Sequence, residues 1–278
     1  MNRTTRAALL SCMLLLLACE PNLDYNVHGY RQKIVVEGWI ASNEHPRVYL
    51  TLNVPIWQEI DTVTVLDKII RTAKVTVSDG ENTEILTAGR DSYYIPYVYK
   101  GTEIVGEEGK TYHLTVEYGG YTITSQTTIP FGSDIISISS SLCSQGDSVG
   151  YALSMQVDVD SSHHTPFRVY TKRMSDKNYK SVPILYNKNL TLSGVQTFNL
   201  SPHKFDNALH SLGDTVLIKL CAIDSISANF FDAFTSNSSI ASGETLGENK
   251  PLQSNISAPG FGIWWGNSAR YARYIVMQ

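Results

Sequence analysis

TYHLTVEYGGYTITSQTTI, residues 111–129, is the stretch that decides the fold class. Tyr112, Leu114, Val116 and Tyr118 recur at every second position, the period that puts alternate side chains on one face of a strand. Gly119-Gly120 then supplies a two-residue turn, since glycine takes the positive φ that a tight hairpin demands. Tyr121, Ile123, Ser125 and Thr127 resume the alternation on the way back. The spacing predicts a β-hairpin, and with it an all-β protein.

Outward from the hairpin the same period dominates. Toward the N-terminus, Ala73, Val75 and Val77 alternate with polar residues and run into Asp79-Gly80, a turn pair. Val48, Leu50, Leu52, Val54 and Ile56 form an earlier strand, and IVVEGWI at 34–40 reads as a mostly buried first one. Toward the C-terminus, Pro130-Phe131-Gly132-Ser133 interrupts the pattern and a second series begins. Tyr151, Leu153, Met155, Val157 and Val159 alternate; residues 167–172 and 216–223 add strands, and 271–276 a last one. One short helix is expected at 226–235, where Phe230, Phe231 and Phe234 recur at helical spacing and read as core. The reading is an all-β chain of two immunoglobulin-like β-sandwich domains in tandem, at 33–131 and 132–278, with that helix in the second half.

The N-terminus carries an address. Arg3 and Arg6 precede an apolar run from Ala7 to Ala18, too short to span a bilayer, where roughly 20 residues are needed. It fits the core of a secretory signal peptide at 1–18. Leu16-Leu17-Ala18-Cys19 resembles a bacterial lipobox, in which the Cys19 thiol takes a diacylglycerol and becomes the new N-terminus. Residues 19–32 are then a tether, and the acyl chains, palmitate among them, supply membrane affinity at about 0.8 kcal/mol per buried CH₂.

Cleavage removes two arginines and no acid, so 22 basic against 26 acidic side chains become 20 against 26, a net charge of −6 with neutral His. A mildly acidic surface of this kind lacks the basic stripe that a phosphate backbone requires, so nucleic acid is not an expected partner. Of four cysteines, Cys12 leaves with the signal peptide and Cys19 carries lipid. Cys143 and Cys221 remain in a compartment that permits a disulfide, and either a structural bridge or two buried thiols fits.

The chain shows no His-Glu-x-x-His, no Gly-x-Ser-x-Gly elbow and no phosphate-binding glycine loop. No catalytic residue, metal or cofactor is expected, and the protein reads as a non-enzyme. The polar run Asp158, Asp160, Ser161, Ser162, His163, His164 reads as a solvated loop rather than a metal site, because the ligand series of a calcium loop is missing. Two aromatic stretches are candidate binding surfaces for a glycan or peptide. In one, Tyr93, Tyr94, Tyr97 and Tyr99 form either a Tyr-rich surface or a half-buried strand. In the other, adjacent Trp264 and Trp265 face opposite ways on a strand, which predicts burial of at least one and leaves the other as the best interface candidate.

Several segments in order resemble a known family. They are Cys19-Glu20-Pro21-Asn22-Leu23-Asp24, IVVEGWI at 34–40 followed by PRVYLTLNVPI at 46–56, and AKVTVSDG at 73–80. GKTYHLTVEYGGYTITSQTTIP at 109–130, GDTVLIKLCAID at 213–224 and SNISAPGFGIWWG at 254–266 complete the series. Together they resemble the Bacteroidetes cell-envelope lipoproteins grouped as domain of unknown function 4249 (DUF4249). The resemblance implies a β-sandwich lipoprotein of the outer membrane. It also implies partnership with a TonB-dependent receptor in nutrient capture or import, and no established catalytic residues. It further draws attention to four Asp-Ser/Thr-aliphatic tripeptides of the kind such bacteria O-glycosylate, with Thr62, Ser148, Thr215 and Ser225 as acceptors.

Overall fold

The decisive hairpin forms as its alternation dictates. Its two strands pair antiparallel from Thr111↔Thr128 to Tyr118↔Tyr121, and the turn glycines Gly119 and Gly120 sit at φ +60° and +81°. Tyr112, Leu114, Val116 and Ile123 are buried on one face, as the period requires.

The computed structural model describes residues 31–55, 61–91, 96–145, 148–159, 165–186, 193–200, 209–241 and 249–278. In the N-terminal half these form β1 (Ile34–Ala41), β2 (Arg47–Leu52), α1 (Thr62–Asp67), β3 (Lys74–Ser78), β4 (Thr83–Ile85), β5 (Thr87–Gly89), β6 (Val98–Lys100), β7 (Thr111–Tyr118) and β8 (Tyr121–Thr128). Next come β9 (Asp134–Gln145), β10 (Ser148–Val159), β11 (Phe167–Arg173), β12 (Lys180–Tyr186), β13 (Gly194–Asn199), β14 (Thr215–Ile223), α2 (Ser225–Ala241) and β15 (Phe261–Ile275). The fold is all-β and sandwich-like. The expected helix is longer than its aromatic cluster implied. A second helix, α1, begins where Asp61 accepts a hydrogen bond from the Thr64 N–H at 2.7 Å and so caps it.

The strands lie in three sheets. One has eight strands in the order β12-β11-β14-β15-β1-β2-β6-β5; the others are β13-β10-β9 and β4-β3-β7-β8. The long sheet crosses the expected boundary near residue 131, because β15 belongs to both halves. Its first part pairs in parallel with β1, from Val35↔Phe261 to Ala41↔Asn267. Its second part pairs antiparallel with β14, from Ile223↔Asn267 to Thr215↔Ile275. The last strand therefore starts at Phe261 rather than near Tyr271. Burial of β15 on both faces hid it from a reading based on alternation.

Each small sheet covers one half of the long one. Val75, Val77, Tyr112, Leu114, Val116 and Ile123 pack with Ile34, Val36, Val48, Leu50 and Trp264. Leu153, Met155 and Val157 pack with Phe167, Val169, Val216, Ile218 and Leu220. Gly262 lets β15 approach β1: it sits at φ +124°, and a Cβ there would lie 2.0 Å from the Val36 carbonyl oxygen. The two halves are tied by Arg270, whose guanidinium reaches Glu108 at 2.7 Å and Asp134 at 3.0 Å. Asp224 adds a second tie: its carboxylate accepts from the Thr127 hydroxyl at 3.0 Å and from the Ser227 N–H at 2.7 Å, so one side chain caps α2 and holds β8.

Candidate functional site

The small sheets leave the opposite face of the long sheet to other cover. At its centre α2 packs down: Ala228 and Phe230 join Cys221, Ile223, Ile263 and Trp265 in a buried cluster. Phe231 meets Trp265 edge-on at 5.1 Å between centroids, and the Arg168 guanidinium lies 4.0 Å over the Phe231 ring. Phe230 stacks on Phe234 at 6.4 Å, and Phe234 itself is exposed.

Beside the helix, β1 presents Val35, Glu37 and Trp39 on this same face, since residues two apart share a side. Tyr49 on β2 lies directly across from Glu37, and Ile263 on β15 is its parallel partner. Trp39 is half-buried, stacks on Tyr49 at 5.6 Å and contacts Trp265 at 6.5 Å. Glu37 is also half-buried. Among the described residues its carboxylate has neither a hydrogen-bond nor an ion-pair partner, and burial raises it from the usual carboxylate range to about 7. Arg47, diagonal to Glu37, is committed elsewhere: its guanidinium pairs with Asp91 at 3.1 Å, and Asp91 also accepts from the Tyr49 hydroxyl at 2.9 Å. Burial and the Asp91 charge both hold the Tyr49 phenol protonated. An apolar, aromatic face with one carboxylate suits binding better than proton-transfer chemistry, for no second group among the described residues hydrogen-bonds to Glu37.

The residues singled out in the sequence fall elsewhere. Trp264 and Trp265 do face opposite ways, yet both are buried, so neither offers an interface. The expectation fails because the sheet is covered twice, by β7 and β8 on one side and α2 on the other. Trp264 donates its indole N–H to the Tyr112 carbonyl at 3.2 Å. Tyr99 is buried and donates to the Ile70 carbonyl at 3.1 Å, so it is core rather than surface. Tyr97 is half-buried against it, while Tyr93 and Tyr94 lie outside the described residues, as does Cys19.

Cys143 and Cys221 are not bridged. Cys143 sits on β9 in a three-stranded sheet; Cys221 is fully buried on the α2 side of the long sheet, the face turned away from β9. Among the described residues no group of three or more His, Cys, Asp or Glu is placed to hold a metal ion. The run from Asp160 to His164 lies outside them. Of the glycosylation candidates, Ser225 is exposed at the start of α2, Ser148 and Thr215 are half-buried, and Thr62 opens α1. Three of the preceding aspartates have structural work of their own: Asp61 and Asp224 cap helices, and Asp214 accepts from the Ser211 N–H.

Sequence reasoning missed Glu37 and Trp39. The signal was present as one acid inside the apolar run IVVEGWI, but only the register shows what surrounds it.

The profile of a family described as "Domain of unknown function (DUF4249)" matches residues 19–270. No curated protein matches the chain. Among solved structures, a chain of "Cytokine receptor complex - Crystal form 1A" is similar at 8% identity over 71% of this chain and 86% of that one, with a TM-score of 0.23.

Proposed function

Given that this chain belongs to the DUF4249 family, we propose that it is a non-enzymatic lipoprotein of the outer membrane, an accessory to a TonB-dependent receptor in nutrient capture or import. The observation that carries this reading is where the family match begins. It starts at Cys19, the residue that the lipobox marks for lipid, and runs to residue 270 in the last strand. A lipid anchor at Cys19 accords with that start, since the mature chain of such a lipoprotein begins at the same residue. The mature net charge of −6 and the sandwich-like fold suit a solvent-facing body on a lipid tether.

Two experiments test it. Cys19→Ser should move the intact protein from the membrane to the soluble fraction; a variant that stays membrane-bound overturns the anchor. Pull-down of the tagged protein from detergent-solubilised outer membrane should bring a β-barrel receptor with it. Reproducible recovery of the lipoprotein alone overturns the partnership.

A second reading is direct capture of a glycan or peptide through an aromatic surface. The half-buried Trp39 beside Glu37 favours it, in place of Trp264, Trp265 and Tyr99, which are core.

A further inference from the structure

Past Cys221, which α2 covers, the same face of the long sheet continues along β11, β14 and β15. The register lays it out in rows. Tyr170, Lys219 and Tyr271 form one, and Lys172, Leu217 and Arg273 form the next. Thr215 and Ile275 pair in the row after it, where Met174 donates its N–H to the Thr215 carbonyl at 3.0 Å. A sheet face turned to water is ordinarily polar. Here Met174, Tyr271 and Ile275 are 61%, 57% and 48% exposed, with Leu217 half-buried between them. A cluster of exposed apolar side chains framed by charge marks an interaction surface.

The charge on this face is also out of keeping with the rest of the chain, which is acidic overall. Elsewhere Arg47, Lys74, Lys110 and Arg270 each hold a carboxylate. Among the described residues Lys172, Lys219 and Arg273 are in no ion pair, and the rows they occupy contain no acid. Lys172 lies 5.9 Å over the Tyr179 ring and Lys219 lies 5.5 Å over the Tyr271 ring. Glu44, at the border, accepts from the Tyr271 hydroxyl at 3.1 Å. The Lys172 and Arg273 backbones stand two strand spacings apart, about 10 Å, on either side of Leu217. Positive charge thus frames an apolar strip.

We propose that this face, centred on Lys172, Leu217, Arg273 and Ile275, docks an acidic segment of a partner protein, one that sets carboxylates beside aliphatic side chains. Exposed Met, Tyr and Arg together are the composition of a protein interface, and the charge is complementary to an acidic partner. A glycan would need an open aromatic platform, whereas the Tyr271 ring carries Lys219. A lipid surface fits poorly, because the tether enters at β1 beside Phe261, and Arg273 lies roughly 40 Å further along β15. The proposal goes beyond the accessory reading and does not depend on the lipid anchor.

The test is fluorescence anisotropy with the detergent-solubilised mature protein and a labelled decapeptide alternating glutamate and valine. The controls are the glutamine-valine decapeptide, decaglutamate, polygalacturonate and phosphatidylglycerol vesicles. The glutamate-valine peptide should bind best and should weaken as salt rises from about 50 to 300 mM. Charge reversal in the double variant Lys172→Glu/Arg273→Glu should weaken it roughly tenfold or more, and Ile275→Ser should weaken it as well. Lys100→Glu, an exposed cation on β6, should leave binding unchanged. No binding up to about 1 mM, equal binding by the glutamine peptide or by decaglutamate, or indifference to salt and to the double variant each overturns the proposal. Preference for polygalacturonate or for vesicles overturns it too, since the occupant would then be a glycan or a lipid surface. Failure here leaves the receptor partnership to its own pull-down, and failure of that pull-down leaves this surface standing.

Discussion

Trp264 and Trp265, neighbours on β15, are buried in two different cores. Trp264 packs among Val36, Leu50, Tyr112 and Val116, and its indole N–H reaches the Tyr112 carbonyl. Trp265 packs on the other face with Cys221, Ile223 and Phe230, edge-on to Phe231. One strand thus carries load for the N-terminal sandwich and for the helix of the second half. Replacing either tryptophan by alanine should cost about 3–5 kcal/mol in urea unfolding. A near-neutral Trp265→Ala would mean that α2 does not seal that face.

The thiols should differ sharply in reactivity. Cys221 is fully buried, and burial pushes its thiol up to about 11, so the nucleophilic thiolate is scarce. Cys143 is half-buried near the end of β9. A thiol reagent should modify Cys143 on the native protein and reach Cys221 only after denaturation. An intact mass two hydrogens short of the reduced value would instead reveal a bridge.

Glu37 should make stability fall with rising pH. Its folded-state carboxyl titrates near 7 against the ordinary 4.5, so the native state holds the extra proton between those values. Stability from this group is full below about 4.5, is lost as pH rises to about 7, and is flat above that. Glu37→Gln should therefore be stabilising at about pH 8, by about 2 kcal/mol after allowing for water at the half-exposed carboxyl, and neutral at about pH 4. Equal unfolding midpoints for the two proteins at both pH values would contradict the burial that raises this carboxyl.

His210 should act in the opposite sense. Its Nδ1 accepts from the Arg173 Nε–H at 3.3 Å, and burial together with the Arg173 charge lowers its affinity for a proton. The unfolded chain then binds that proton first, so stability falls as pH drops through the ordinary imidazole range near 6.5. His210→Gln should flatten that part of the profile. An unchanged slope between about pH 7 and 5 would show that the imidazole titrates normally.

Asp224 should be costlier to lose than an ordinary cap. Its two carboxylate oxygens serve Ser227 N–H and Thr127 Oγ1, and that hydroxyl in turn accepts from the Gly266 N–H at 2.7 Å. Asp224→Ala should destabilise by about 2 kcal/mol, above the ~1 kcal/mol typical of a helix cap. Asp224→Asn, whose one amide oxygen can still accept from the Ser227 N–H, should recover part of the loss. A double-mutant cycle with Thr127→Val measures the coupling between the halves.

What the sequence determined by itself is local. Alternation at Tyr112, Leu114 and Val116 and the turn at Gly119-Gly120 dictate a hairpin, because side-chain period and glycine φ are properties of a few consecutive residues. The expected signal peptide and the proposed lipid site at Cys19 are equally local, being read from a short linear pattern. The tertiary structure decided everything that depends on two faces being covered at once. The sequence leaves open which of Trp264, Trp265 and Tyr99 are surface, and only the packing on both faces of the long sheet makes all three core. The same applies to β15, which joins both halves through a parallel pairing between residues more than two hundred positions apart. Glu37 is the sharpest case. An acid in IVVEGWI is visible to any reader, but its burial and the commitment of Arg47 to Asp91, which leaves it without an ion pair among the described residues, arise from contacts between distant segments that no local pattern encodes.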